Sequence, residues 1–165
     1  MGTEQRFWSA EGKSNRVIAA RILPGSDVIL GIIEVCRKYN IKAGGIASMI
    51  GSLKTAQYQA IQPDPNSKTG ASFTDKMTAE GPVELLSGQG LICQREDGMF
   101  IHLHTVMVDK NQKVFGGHIE RGFCTVLNTL EIIIVESENI VLHREHDEET
   151  GFVQTVPKKV GSRFF

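Results

Sequence analysis

From Pro82 onward apolar and polar residues alternate in successive blocks: Val83 to Ile92, Met99 to Val108, Lys113 to Glu120, Phe123 to Glu136 and Asn139 to Glu145. Period two sends neighbouring side chains to opposite faces, so each block predicts a half-buried β-strand, and the short polar stretches between them predict turns. Arg16 to Leu23 reads as an earlier strand, broken by Pro24-Gly25. A helix is expected next. Ser26 and Asp27 offer N-cap oxygens, and Val28, Ile32, Val35, Cys36 and Tyr39 recur on one helical stripe until Asn40 ends it. Between Ala43 and Ile61 the apolar residues again run near period two around Gly51-Ser52, which predicts two tightly joined strands or one bent strand. Gln62 to Ala79 is rich in Pro, Asn, Ser, Thr and Gly and reads as a long surface loop. A loop of that length is expected to do something, such as covering a site or a neighbouring subunit.

These elements predict a single α+β domain: an antiparallel sheet of about seven or eight strands flanked by one main helix. Residues 1–14 form an N-terminal extension in this reading, 15–146 the domain and 147–165 a C-terminal tail. The tail's closing Phe164 and Phe165 are apolar for a free end, so it is either solvated or packed on another subunit.

Composition narrows the class. With 165 residues the chain can bury a core without disulfides or a structural metal, and 41% hydrophobic and 22% charged residues argue against a disordered, fibrous or membrane-embedded protein. A formal net charge of −1 gives no overall pull towards a polyanion, so nucleic-acid binding would need a local basic patch. Cys36, Cys93 and Cys124 are odd in number and widely spaced, and read as reduced, buried thiols. The polar start lacks the blocks of a signal peptide, and no apolar run approaches membrane-spanning length. A cytoplasmic location is the expectation.

The strongest chemical signal is His102-Leu103-His104, followed after a polar turn by Gly116-Gly117-His118. Two residues apart on a strand, His102 and His104 share a face with Cα atoms about 6.6 Å apart, near enough for both rings to reach one ion. Whether His118 joins them depends on the hairpin loop. A two-residue loop at Lys110-Asn111 sets His118 opposite Leu103, on the wrong face. A three-residue loop, Asp109 to Asn111 or Lys110 to Gln112, sets it opposite His102 or His104 respectively. Three histidines on one metal therefore predict an odd loop, or a compensating bulge at Gly116-Gly117, with those glycines leaving room for the ion. The alternative is two partly exposed histidines on a polar sheet face. His143 and His146 stand in a charged stretch and are expected to be solvated.

Three neutral imidazoles would leave a tetrahedral Zn(2+), or another divalent transition metal, one open position at which the pKa of bound water falls towards about 7. Such chemistry also needs a carboxylate. Glu84, Asp109, Glu120 and Glu131 qualify by type, and Glu120 is preferred because two residues beyond His118 it shares that face if the strand stays regular. No nucleophilic Ser or Cys motif, GxGxxG or P-loop occurs.

Several segments together resemble the PPC family, the plant and prokaryote domain: Arg16 to Arg21 leading into Leu23-Pro-Gly-Ser-Asp27, Ile46 to Ser52, Gly81 to Ser87, His102-Leu-His104, Gly116-Gly-His118 and Thr129-Leu-Glu131. They run in family order from about Arg16 to Glu145. The resemblance implies an antiparallel sheet flanked by a helix, assembled as a homotrimer, with the histidines holding a metal, often zinc. It also implies Arg16 and Arg21 as partners for Glu84, should that carboxylate be buried. DNA binding in the plant relatives depends on a basic AT-hook that this chain lacks; its basic cluster is Pro157-Lys158-Lys159 with Arg163. Three functions follow as expectations: a trimeric metal-binding protein whose site suits a small-molecule metalloenzyme, a DNA-binding regulator without an AT-hook, and a cupin-like metalloenzyme, against which the missing second cupin motif and the early helix weigh.

Overall fold

The computed structural model describes residues 6–161. Its elements run β1 (Lys13–Ile22), α1 (Val28–Lys38), β2 (Gly44–Gln59), β3 (Ile61–Pro63), β4 (Ala71–Phe73), β5 (Met77–Arg95), β6 (Gly98–Val108), β7 (Val114–Ile119), β8 (Thr125–Glu138), β9 (Ile140–His146) and β10 (Val153–Lys159). Eight strands form one sheet in the order β1-β8-β2-β7-β6-β5-β9-β10, and β3 and β4 pair as a separate hairpin. Because β2 also pairs with β5, the strands β2, β5, β6 and β7 close a ring of pairings. The expected α+β domain with one helix is present, and no helix among the described residues is long and apolar enough to cross a membrane.

Asp27 caps α1: its Oδ1 accepts from the Leu30 amide at 2.9 Å, while Oδ2 accepts from Gly122 at 3.0 Å and Cys124 at 3.3 Å, tying the helix start to the turn before β8. The buried stripe is Val28, Ile29, Ile32, Ile33 and Cys36. It is rotated from the expected one. Tyr39 is exposed and Val35 only partly covered, because Ile29 and Ile33 take the places that face the sheet. The helix covers one face of the sheet, where Ile46, Leu53, Leu85, Leu103, Met107, Ile119 and Leu130 form the main core. Burying such side chains stabilises the fold by roughly 1.5–3 kcal/mol each before entropy is counted. The three cysteines are buried free thiols, and burial pushes Cys36 and Cys124 up to about 11.

Of the Ala43 to Ile61 region, Gly44–Gln59 is one bent strand: β2 carries register shifts against β8 and β5 and continues through Gly51-Ser52, while Ile61 already belongs to β3. Two other expectations are corrected. The Gln62 to Ala79 stretch is no simple loop, since Ile61↔Phe73 and Pro63↔Ala71 pair as the β3–β4 hairpin, with Asp64 and Gly70 closing its turn. The region assigned to the tail contributes β10, which pairs along all of β9 from Val153↔His146 to Lys159↔Ile140. Its Pro157 and Lys158 are tolerated because, among the described residues, β10 is an edge strand with no further neighbour requiring a backbone donor. Phe164 and Phe165 lie outside the described residues.

Candidate metal centre

The β6–β7 hairpin decides where the histidines point. Asp109 and Lys113 still bond across it, Asp109 N to Lys113 O at 3.1 Å, leaving Lys110 to Gln112 as a three-residue loop. The Asp109 carboxylate accepts from the amides of Asn111 and Lys113 at 2.8 and 2.9 Å, and Gln112 adopts a left-handed φ of 63°. A turn followed by a left-handed residue is the expected form of such a loop. The resulting register is Val108↔Val114 and His104↔His118, the second of the two three-residue alternatives.

That register is reinforced from below. Leu103, Thr105, Met107 and Ile119 are buried on the core side, so His102, His104 and His118 must lie on the opposite face. There they converge: His102 Nε2 and His104 Nε2 are 3.1 Å apart, the ring centroids stand 5.0 to 5.3 Å from one another, and one ligand atom from each residue lies within 4.8 Å of the others. Nitrogens on a tetrahedral ion with bonds of about 2.0–2.1 Å stand roughly 3.3 Å apart, so the first pair is already at ligation distance. Burial lowers the pKa of all three rings, and neighbouring Arg144 also lowers His102, which falls to about 4. Neutral rings this close have lone pairs to share with a cation. Nδ1 of His118 is buried and, among the described residues, has no hydrogen-bond partner. The donor set therefore fits a borderline-soft divalent metal such as zinc.

The glycines before His118 have a different role from the expected one. A Cβ on Gly116 would stand 2.1 Å from the Thr105 carbonyl oxygen, and one on Gly117 2.2 Å from that of Gln59. They allow neighbouring backbones to approach and do not act by clearing space for an ion.

The histidines open into a cleft of about 500 Å³. Its cover is the β3–β4 hairpin and the β9–β10 turn: Phe73 lies 6.1 Å from the His118 ring and packs edge-on to Phe152 at 5.7 Å, and Lys68 Nζ donates to the Glu148 carbonyl at 2.6 Å. The long segment thus covers the site within its own chain.

The acidic candidates are placed unequally. Glu120 lines the cleft beside His118, and its charge partly offsets the lowering of that ring's pKa, but its Oε2 is held at 2.5 Å by Lys76 Nζ. Glu84 is exposed in the single chain, opposite Val108 and Ser52, so the burial that would call for Arg16 or Arg21 as its partner is not met here: Arg16 pairs with Glu136 and Arg21 donates to Thr129 Oγ1. Asp109 serves the hairpin loop, and Glu131 lies on β8 opposite Arg21. His146 is exposed and contacts Glu148, whereas His143 is half-buried at the β5–β9 bridge and is not the solvated residue expected. Sequence reasoning missed Arg95, Phe100 and Arg144, which line the cleft from three strands. The only advance signal was Phe100, two residues before His102 and therefore on its face.

A family model, the Plants and Prokaryotes Conserved (PCC) domain, matches residues 9–138. The chain belongs to this family. Among curated proteins, the bifunctional protein GlmU of Synechococcus sp. (strain JA-3-3Ab) is 29% identical over 147 residues, covering 89% of this chain, and that of strain JA-2-3B'a(2-13) is 28% identical over 141 residues, covering 86%. This PCC chain spans only 21% and 20% of their lengths. Similar solved structures include a metal-containing protein from Archaeoglobus fulgidus, with TM-score 0.76, 24% identity and coverage of 92% of this chain and 99% of that one. A plant- and prokaryote-conserved protein from Pyrococcus horikoshii gives 0.74, 21%, 93% and 100%, and a Bacteroides thetaiotaomicron protein, named only provisionally as DNA-binding, gives 0.69, 16%, 90% and 97%. At these identities the likeness establishes a shared fold.

Proposed function

We propose that this PCC-domain protein is a homotrimeric metal-binding protein whose His102, His104 and His118 hold zinc or another divalent transition metal and act on a small molecule admitted to the adjoining cleft. The observation that carries the reading is the convergence of three pKa-lowered imidazoles at the mouth of a cleft covered by its own hairpin. A metal-containing protein of the same fold in Archaeoglobus fulgidus supports it. The three imidazoles would hold the ion, and when bound it would supply Lewis acidity. Around it the chain's own residues have definable tasks. Phe73 and Phe152 restrict water, Gln59 is held in place by its bond to the Thr74 carbonyl, and Glu120 is the carboxylate available to take or return a proton once released from Lys76.

The homotrimer is supported by the family resemblance and by Val17, Ile50, Leu86 and Val106. These apolar residues are well exposed in the single chain and lie on the sheet face turned away from the core. A cytoplasmic location accords with the three unpaired thiols. A DNA-binding role is the second reading, suggested by the names of neighbours from Bacteroides thetaiotaomicron and Ralstonia eutropha. Against it, Lys158 of the basic cluster is bonded to Glu145. DNA affinity that falls steeply with salt would favour this second reading.

Elemental analysis of protein purified without an affinity tag should find one transition-metal ion per folded chain, and none in the His102→Ala, His104→Ala double variant. Folded wild-type protein that neither carries nor takes up such an ion overturns the proposal.

A further inference from the structure

Two arginines in the histidine cleft are not explained by metal binding. Arg95 ends β5, Arg144 lies on β9, and the parallel Gln94↔His143 bridge sets the two side by side on the face of the histidines. The Arg95 guanidinium stacks on the Phe100 ring at 3.5 Å from its centroid, and that of Arg144 stands 5.3 Å from the same centroid. Two cations thus share one aromatic ring. Nε of each is buried without an acceptor, and among the described residues no carboxylate forms an ion pair with either. Arg144 does donate from its terminal nitrogens to Thr155 Oγ1 at 3.1 Å and to the Val153 carbonyl at 2.6 Å, which fixes its position. Glu120, the acid lining the same cleft, is engaged by Lys76.

Half-buried like charges repel. Burial and, to a lesser degree, Arg95 lower the pKa of Arg144, and both arginines disfavour protonation of His102. A protein seldom keeps two unneutralised guanidinium groups together unless something of opposite charge joins them.

We propose that Arg95 and Arg144 form an anion-binding subsite, and that the cleft's ligand is a small oxyanion, a carboxylate or a phosphate monoester, carried on an apolar body. Guanidinium forks match both groups in geometry and charge. The apolar body has its own walls in Ile61, Phe73, Phe100 and Phe152, and about 500 Å³ suits a small molecule. Seated there, the acid group holds the rest of the ligand towards the histidines. The inference takes from the metal reading only the direction of the reacting end, and the anion preference is set by the arginines alone.

Calorimetric titration with benzoate, phenyl phosphate and the neutral benzyl alcohol tests this at pH 8, on metal-loaded and on metal-stripped protein. In both forms at least one of the two anions should bind about tenfold or more tighter than benzyl alcohol, and whichever binds tighter identifies the acid group. Arg95→Met should remove about tenfold or more of that preference while metal content by elemental analysis stays unchanged. Arg95→Lys should retain part of it. Equal affinity for neutral and charged probes in the metal-stripped protein overturns the subsite, whatever the metal result. So does an anion preference that survives in folded Arg95→Met. Loss of metal binding with the anion preference intact overturns the metal reading alone. Because the comparison of probes uses the unsubstituted chain, it stands even if a variant fails to fold.

Discussion

Leu103 lies between two of the candidate metal ligands in sequence and on the other side of the sheet in space. Its side chain is fully buried in the main core beneath α1, while His102 and His104 face the cleft. Leu103→Ala removes a buried isobutyl group and leaves a cavity that the surrounding strands, fixed by pairing on both edges of β6, can only partly close. A leucine in that setting is worth about 2–5 kcal/mol. For a domain of this size each kcal/mol lowers Tm by roughly 2–4 °C, so the variant should melt roughly 4–20 °C lower. Thermal and urea denaturation of the metal-free protein measure the loss. Metal content of the folded variant should match wild type, because the alternation of the strand separates packing from ligation. Replacing both flanking histidines should do the reverse, abolishing metal uptake with little loss of metal-free stability. A loss below about 1 kcal/mol would show that Leu103 is not packed as described. A folded Leu103→Ala protein unable to take up metal would refute the assignment of faces on which the site depends.

Gly116→Ala places a methyl against the Thr105 carbonyl, and overpacking of this kind costs about 1–3 kcal/mol. Since β7 must shift to accept it, metal affinity should fall along with Tm; unchanged affinity would show that β7 does not set the position of His118. Glu136 is 7% exposed and accepts from Arg16 Nε at 2.7 Å and from Asn15 Nδ2 at 3.0 Å. These bonds, Arg16 first, hold its pKa below the ordinary carboxylate value. Its contribution to stability is therefore present above about pH 4.3 and lost as pH falls through the lower folded-state pKa. Glu136→Gln should lower Tm at pH 7, and the difference should begin to narrow in melts taken below about pH 4.3 and close once the pH falls beneath the lower folded-state pKa. A difference that stays constant with pH contradicts the pairing.

The elements whose pattern carries a physical requirement were legible in the sequence. The alternating blocks after Pro82 became strands because one face of each is buried, and the histidine register followed from loop length. What remained open between the two three-residue loops was settled by the Asp109 N to Lys113 O bond, which sets His104 opposite His118. Other features were misread because the same residues serve two masters. Val35 and Tyr39 keep helical spacing as well as Ile29 and Ile33 do, and only contact with the sheet chooses between them. Pro157 and the adjacent lysines signal a solvated tail, yet edge strands use the same residues to discourage further pairing. The two glycines before His118 were identified correctly and explained wrongly, since the backbones that crowd them belong to β6 and to the end of β2. Arg95 and Arg144 carried no local signal. Only the β5–β9 bridge brings them together.

The central claim is most directly tested by X-ray absorption at the zinc edge of protein loaded with one equivalent of zinc. Three imidazole nitrogens at about 2.0–2.1 Å, with a light atom completing the shell and no sulfur, is the predicted coordination. A shell containing sulfur at about 2.3 Å, or one with fewer than three imidazoles per ion, would contradict it.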